Sequence, residues 1–203
     1  MTSKTLSIEE KQQKIEAAAI KYGEFLSLLQ FDWKNDSNMK DTPMRISKMM
    51  FNEICKSEYE APPKITTFEN LDTYDGIVFQ GDIEVKSLCS HHFLPFFGKA
   101  YVAYIPGSSN RIIGLSKLNR IVEYFSRRPQ VQENLTMQIH NFLDIFQDSK
   151  GIAVLIEAQH TCVSHRGIRQ DSVMKTSKLS GVFLDNNDKS REEFYRFIND
   201  LKK

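Results

Sequence analysis

The N-terminal third of the chain carries apolar residues at helical spacing. Ser7 and Glu10 have the spacing of a capping box, in which each side chain bonds the backbone N–H of the other residue. Apolar positions then recur every three or four residues. A second helical run begins at Thr42 and Pro43, because proline suits the first turn of a helix. We therefore expect an N-terminal helical extension over residues 1–62.

The middle of the chain changes to strand periodicity. Apolar and other residues alternate within 77–85, which predicts a half-buried strand, and Gly81 is placed for a bulge in it. A second alternating segment, 100–105, has residues for two faces and ends at Pro106. Residues 152–157 predict a third strand.

Helical spacing returns between the second and third of these strands. Apolar residues within 118–125 and 135–146 predict two helices, separated at Pro129 because proline interrupts helical hydrogen bonding. A last helix is predicted to begin at Ser190. Strands that adjoin strands, rather than alternating strictly with helices, indicate the α+β class. We expect residues 63–203 to form a domain of this class.

Composition and charge restrict the kinds of partner that the protein is expected to bind and the cellular compartment in which it is expected. The 203 residues are 40% hydrophobic and 26% charged, which suits a folded globular protein. A formal net charge of +1 gives no general attraction to nucleic acid or to anionic membranes. No apolar run has the length of a membrane span, and the first residues do not resemble a signal peptide. Three widely spaced cysteines argue against a disulfide framework, so we expect a cytoplasmic protein without nucleic-acid or membrane partners.

Cysteines and histidines gather at the ends of two predicted strands. Cys89, His91 and His92 follow the first strand, and His160 and Cys162 follow the third. Zinc prefers thiolate and imidazole, and a catalytic zinc usually has three protein ligands and one position for water. The Cys89-x-x-His92 pair can close on one ion, and Cys162 can supply the third ligand if the strand ends meet. His91 and His160 would then lie beside the metal, placed for proton transfer.

The same residues have two plainer interpretations. Free cysteine is among the most buried residue types, so these thiols can simply belong to a core. A structural zinc would need a fourth ligand, for which Cys55 and His165 are available. Spacing alone leaves these alternatives open.

Three stretches of the sequence resemble the GTP cyclohydrolase I family. They read LCSHHFLPFFGKAYVAYIPG, IIGLSKLNRIVEYFSRRPQVQENLT and EAQHTCVSHRGIR, with DTPMRISKMMFNEI before them and SREEF after them. Together they extend over most of the chain in the family's order. The resemblance implies the tunnelling fold, in which an antiparallel sheet is backed by two helices. It also implies a homodecamer of two pentamers with active sites at subunit junctions.

The resemblance also implies a reaction and its central residues. Members hydrolyse the imidazole ring of the guanine of GTP, release formate and form 7,8-dihydroneopterin triphosphate, the first step of tetrahydrofolate and pterin biosynthesis. The matching positions make Cys89, His92 and Cys162 the Zn²⁺ ligands. His91 and His160 match the residues that transfer protons.

Further matches imply how GTP is held. Gln132 and Glu133 match family residues that lie at the guanine edge. A carboxylate there can accept hydrogen bonds from the ring N–H and the exocyclic amine together. The positions matching the triphosphate site or its surroundings are Ser116, Lys117, Arg120, Arg166, Arg45 and Lys48. The last two match residues that a neighbouring subunit contributes. Without the resemblance, each of these lysines and arginines would be interpreted as a solvated surface charge.

One departure from the family's pattern keeps other functions open. Ser90 stands where members commonly have glutamate. The alternative to an active enzyme is a catalytically impaired nucleotide-binding regulator of the same fold, and formate release separates the two. A relative acting on a modified purine nucleotide is a further alternative. A zinc nucleobase deaminase would need H-x-E and P-C-x-x-C, and neither motif occurs in the sequence.

Overall fold

The computed structural model describes residues 5–146, 148–187 and 189–203. Within it the chain divides into two compact units, Met1–Pro62 and Pro63–Lys203. None of the helices formed by the described residues has both the length and the apolarity needed to cross a membrane.

The N-terminal unit is helical, as predicted. Helix α1 (Ile8–Leu28) begins after Ser7, whose Oγ accepts a hydrogen bond from the backbone N–H of Glu10 at 3.1 Å. Glu10 Oε2 in turn accepts from the backbone N–H of Ser7 at 2.8 Å, so the predicted capping box is present. The helical elements that follow are α2 (Thr42–Met49), a π-helical turn (Met50–Ile54) and a 3-10 turn (Lys56–Glu58).

Helix α1 has one buried face. Its buried residues recur at helical spacing: Ile15, Ala19, Gly23 and Leu26. A Cβ atom added at Gly23 would lie 2.7 Å from the Trp33 ring, so the absence of a side chain lets the indole pack against the helix. Trp33 Nε1 also donates to Ser27 Oγ at 3.0 Å. These contacts hold the segment after α1 against the helix.

The strands of the second unit are β1 (Thr67–Glu69), β2 (Val78–Cys89), β3 (Pro95–Pro106), β4 (Arg111–Ile113), β5 (Pro129–Gln130), β6 (Ser149–His160) and β7 (Val173–Leu179). Five of them form a sheet in the order β5-β2-β3-β6-β7. Strands β2, β3, β6 and β7 pair antiparallel, whereas β5 runs parallel to β2. Strands β1 and β4 form a separate antiparallel pair.

Helices cover both faces of this sheet. The helical elements are α3 (Leu115–Ser126), α4 (Gln132–Phe146), α5 (Thr161–Ser164), a 3-10 turn (Gly181–Leu184) and α6 (Ser190–Asp200). On β3, Val102 and Tyr104 share a buried cluster with residues of α3 and α4. Their neighbours Tyr101 and Ala103 pack with residues of α6 and the 3-10 turn on the opposite face. The predicted α+β class, with two helices backing an antiparallel sheet, is confirmed.

The bulge predicted in the first strand is present. β2 is paired with β3 in two registers, with Gln80 opposite Val102 and Ile83 opposite Ala100. Asp82, within the bulge, has a φ of 52°, in the left-handed region. The bulged strand thus accommodates one more residue than its partner between these two pairs.

The strands differ from the prediction mainly in length and number. β3 and β6 extend several residues beyond the predicted segments, because their mutual pairing continues from Phe96 opposite His160 to Pro106 opposite Ser149, through residues that show no regular apolar alternation. β1, β4 and β5 have two or three residues each, too few for periodicity to detect. β7 is largely exposed or half-buried, so its sequence lacks a clear apolar alternation.

Candidate metal centre and active site

Two strand ends bring the cysteines together. β2 ends at Cys89 and β6 ends at His160, and both strands pair antiparallel with β3, which lies between them. They therefore run in the same direction and end at the same edge of the sheet. The short helix α5 follows β6 directly and carries Cys162. The Sγ atoms of Cys89 and Cys162 are 3.8 Å apart.

This sulfur separation fits a tetrahedral zinc site. Two thiolates bound to one zinc at about 2.3 Å, with a tetrahedral angle between them, lie about 3.8 Å apart. A third donor is close, since ligand atoms of Cys89, His160 and Cys162 all lie within 4.8 Å of one another. Two sulfurs and an imidazole nitrogen are donors that zinc prefers. The residues present fit a metal ion.

His160 is the most constrained member of this group. Its ring stacks on that of Phe96, with centroids 4.5 Å apart and 8° between the planes. His160 Nε2 lies 2.9 Å from Gln132 Oε1. Burial lowers the pKa of His160, and the negative charge of Glu133 acts in the opposite direction. Burial therefore favours the neutral imidazole.

The thiol of Cys162 is affected by burial and by its neighbour. Burial raises the pKa of Cys162, and the hydrogen bond to Cys89 raises it further. The positive charge of Arg166 acts in the opposite direction, although more weakly. A metal ion at this position would have to displace the thiol proton, so its binding would depend on pH.

The two histidines after β2 lie on an exposed turn. Backbone hydrogen bonds close this turn, from Cys89 N to Leu94 O at 2.8 Å and from Phe93 N to Cys89 O at 2.9 Å. His91 Nδ1 lies 3.9 Å from Cys89 Sγ. His92 is exposed and, among the described residues, lies outside the group of three donors. The structure thus gathers Cys89, Cys162 and His160 more tightly than the predicted ligand His92.

The first two residues of α4 have opposite environments. Gln132 is 1% exposed, and its Nε2 lies 3.1 Å from each of Ile156 O, Met174 O and Thr176 Oγ1. Glu133 is exposed, although it is near enough to affect His160. Only Glu133 of this pair presents its side chain to solvent.

The residues predicted to bind triphosphate in this unit lie on two elements. Ser116 and Arg120 are exposed on the first turns of α3, with half-buried Lys117 beside them. Arg166 is exposed two residues after the end of α5 and influences Cys162 electrostatically. These side chains are accessible to an anionic ligand.

The other two predicted cations belong to the N-terminal unit. Arg45 and Lys48 are exposed on α2. Arg45 Nη2 lies 3.4 Å from Asp41 Oδ2, one helical turn earlier. Their role towards a nucleotide stays a prediction.

Two residues of the site were not predicted. Phe96 lies opposite His160 in the pairing of β3 and β6, and this register brings the two rings into contact. Thr176 lies on β7, the strand whose apolar pattern is weak, and reaches Gln132. No local sequence signal marks either residue, because both contacts depend on strand pairing.

The sheet backed by two helices, with thiols and imidazole at one edge, defines an α+β protein with a candidate metal centre. The family model of GTP cyclohydrolase I matches residues 18–199. A GTP cyclohydrolase 1 of Sulfurihydrogenibium sp. (strain YO3AOP1) is 46% identical over 172 residues, which is 83% of this chain and 87% of that protein. The chain belongs to the GTP cyclohydrolase I family.

Other relatives extend the match. A GTP cyclohydrolase 1 of Buchnera aphidicola subsp. Schizaphis graminum is 44% identical over 191 residues, covering 93% of this chain and 85% of that protein. One from Yersinia enterocolitica is 46% identical over 175 residues, covering 85% and 78% respectively. Among solved structures, the apo archaeosine synthase QueF-Like overlaps 51% of this chain and 93% of that one, with a TM-score of 0.40 and 13% identity.

Proposed function

We propose that this chain hydrolyses the imidazole ring of the guanine of GTP, releases formate and forms 7,8-dihydroneopterin triphosphate. The observation that carries the proposal is the meeting of Cys89, Cys162 and His160 at one sheet edge, in a chain that belongs to the GTP cyclohydrolase I family. The relatives named above carry the same enzyme name. Membership of the family, together with a fitting donor set, supports this reaction over the alternatives.

Zinc is the proposed metal, with Cys89 and Cys162 as two of its ligands. We assign the third position to His92, because it forms a Cys-x-x-His pair with Cys89. His92 is exposed on a turn that backbone bonds already close, so its side chain can rotate without disturbing the core. His160, in contrast, is held by two contacts of its own ring. When bound, zinc supplies an activated water as a nucleophile near neutral pH.

Proton transfer is assigned to His160 and His91. During attack of water on carbon 8 of guanine, the water loses a proton and nitrogen 7 gains one, and a neighbouring imidazole that accepts one proton and gives one is suited to this task near neutral pH. His160 lies beside both thiols in a fixed orientation, and His91 approaches Cys89 from the exposed side. The two histidines therefore flank the position where the ring would open.

Substrate binding is assigned to the exposed groups around this centre. Glu133 accepts hydrogen bonds from the guanine edge, where its charge strengthens them. The proposed triphosphate contacts are Ser116, Lys117, Arg120 and Arg166, with Arg45 and Lys48 contributed by a neighbouring subunit. That contribution requires an oligomer, which we propose to be a homodecamer of two pentamers.

One experiment tests the proposed reaction directly. The purified protein is loaded with Zn²⁺, its metal content is measured, and it is incubated with GTP. We expect equal amounts of formate and dihydroneopterin triphosphate, the latter detected by fluorescence after oxidation. A stripped sample should be inactive and should recover when Zn²⁺ is restored.

The alternative, a regulator that binds GTP without turnover, is favoured by one observation. Ser90 occupies the position where family members commonly have glutamate. The regulator predicts GTP binding by calorimetry with no formate from the zinc-loaded protein. That result would overturn the proposed reaction.

A further inference from the structure

The side chain of Gln132 has a defined orientation. Its amide nitrogen faces the backbone carbonyl oxygens of Ile156 and Met174, both at 3.1 Å. Carbonyl oxygens only accept hydrogen bonds, so the NH₂ group must be on this side. A flipped amide would bring its own oxygen against both carbonyls. The network therefore places Gln132 Oε1 towards His160.

This orientation determines which nitrogen of His160 carries a proton. Gln132 Oε1 is an acceptor, and it lies 2.9 Å from His160 Nε2. The contact is a hydrogen bond only if Nε2 bears the hydrogen, because the amide oxygen has none to give. In the neutral imidazole the other nitrogen, Nδ1, then has the lone pair. The neighbouring glutamine thus selects one tautomer.

Hydrogen bonds that involve two threonines hold the Gln132 side chain in this orientation. Thr136 Oγ1 donates to Gln132 O at 2.9 Å, which uses its single hydrogen. Thr176 Oγ1 lies 2.6 Å from Thr136 Oγ1 and so must donate to it. The lone pairs of Thr176 Oγ1 are then left to face Gln132 Nε2 at 3.1 Å. With 1% of its surface exposed, Gln132 has no free face for a ligand.

We propose that Gln132 is a positioning residue that acts through His160, instead of contacting the guanine edge. It fixes the tautomer of His160, while the stacked Phe96 ring fixes the plane of the imidazole. This inference rests on the proposed function for its effect on turnover, although the hydrogen-bond network itself does not. Groups that orient a metal-bound histidine typically change activity or metal affinity about 10- to 100-fold when removed, and we expect a change of this order for the group that orients His160.

The first test compares Gln132→Met with a matched control, Gln130→Met. Gln130 is also a buried glutamine, 4% exposed, and its Nε2 donates to Phe125 O and Gln138 Oε1. We expect Gln132→Met to lower kcat for GTP about 10- to 100-fold, with KM changed by less than about twofold. Gln130→Met should keep the wild-type kcat. A large rise in KM with normal kcat would instead support a guanine contact, and equal losses in both variants would support a structural role.

A double-mutant cycle tests whether the effect passes through His160. If Gln132 acts only by orienting this ring, Gln132→Met should have little further effect on kcat in a His160→Ala background. Multiplicative effects of the two substitutions would overturn the proposal. Thermal unfolding of all four proteins identifies any variant that is not folded.

The tautomer can be observed without turnover. Solid-state NMR of the zinc-loaded protein, labelled with ¹⁵N in its histidine rings, should show His160 protonated at Nε2 and unprotonated at Nδ1. Gln132→Met should lose this fixed pattern, whereas Gln130→Met should keep it. A wild-type His160 protonated at Nδ1 alone would overturn the inference. If the expected tautomer is present but GTP is not hydrolysed, the proposed function fails while the positioning role stands.

Discussion

The site has a buried half and an exposed half, and they differ in what holds their side chains. The buried half consists of Phe96, Gln132 and His160, which the sheet and α4 fix through stacking and hydrogen bonds. The exposed half consists of His91, His92, Glu133 and Arg166. The folded chain itself therefore organises the buried groups. The exposed groups can be organised by metal and nucleotide when these bind.

This difference indicates where each kind of mutation should act. Changes in the buried half should alter the orientation of reacting groups and thus turnover, because orientation contributes to the transition state. Changes at His92, Glu133 and Arg166 in the exposed half should alter binding of the metal or of GTP, whereas His91 shares the proposed proton transfer with His160.

Replacing either cysteine should remove the metal and the activity together. Cys89→Ser and Cys162→Ser each exchange a thiolate for a hydroxyl, which is a poor zinc ligand. We expect both variants to lose bound zinc and GTP turnover, measured by metal analysis and formate release. Cys55→Ser is the control, because Cys55 is a buried thiol of the N-terminal unit, and it should keep its zinc. Turnover with normal zinc content in Cys162→Ser would contradict the assignment.

The histidines should divide between metal binding and chemistry. His92→Ala should lose zinc, whereas His160→Ala should retain zinc and lose about 100- to 10,000-fold in kcat, the usual contribution of a general acid or base. Zinc content and kcat are measured on the same preparations. If His92→Ala retained zinc and His160→Ala lost it, the third ligand would be His160 instead of His92. The structure groups His160 with the two cysteines.

Glu133 belongs to the exposed half, so its removal should weaken binding. A hydrogen bond to a charged group contributes about 1.5–3 kcal/mol, and Glu133→Ala should therefore weaken GTP binding about 10- to 100-fold. Calorimetry in a catalytically inactive background, such as His160→Ala, measures this. Asp144→Asn removes an exposed acid from the same helix and serves as the control. Wild-type affinity in Glu133→Ala would exclude the guanine contact.

The smallest effect is expected on the opposite face of the sheet. Glu157 Oε2 accepts from Lys202 Nζ and from Lys175 Nζ, the latter at 3.0 Å. The hydrogen bond from Lys202 lowers the pKa of Glu157, against the opposing effect of burial. The ionised carboxylate therefore stabilises the folded state, and its contribution is lost as pH falls below the unfolded value of about 4.3 and through the lower folded pKa.

The substitution Glu157→Gln tests this pH dependence. At pH 7 it should lower the free energy of unfolding by about 0.5–1 kcal/mol, as expected for a partly exposed ion pair. Denaturant titrations should show the difference from wild type shrinking below about pH 4, where the carboxylate becomes protonated. kcat and KM for GTP should stay unchanged. A difference that grows towards acid pH would contradict the sign of the shift.

Much of the fold could be predicted because its elements follow local rules. The capping box of Ser7 and Glu10 and the helices α3 and α4 are given by spacing alone. The bulge in β2 was predicted from Gly81 within an alternating segment. Strands such as β1 and β4 depend on each other for their hydrogen bonds, so their few residues carry no independent pattern.

The site could be predicted only as far as residue type and motif allow. Cys89 and Cys162 follow two strands, and the structure brings their sulfurs together. The environment of Gln132 was not foreseen, because its neighbours Met174 and Thr176 come from β7, about forty residues further along the chain. Contacts of this kind depend on how strands pair, which a single sequence does not show.

The bulge in β2 also decides which side chain enters the site. Before it, Val78 lies opposite Tyr104, whose face is covered by α3 and α4. After it, odd-numbered residues such as Val85 and Cys89 take that face, because β2 has advanced one residue more than β3. If β2 instead paired regularly with β3 through this point, with the same residues and no bulge, the thiol would turn to the opposite face of the sheet and Leu88 would take its place. Alternate residues of a strand face opposite sides of the sheet. Metal binding thus depends on which of the two faces the bulge gives to position 89, as well as on the cysteine itself.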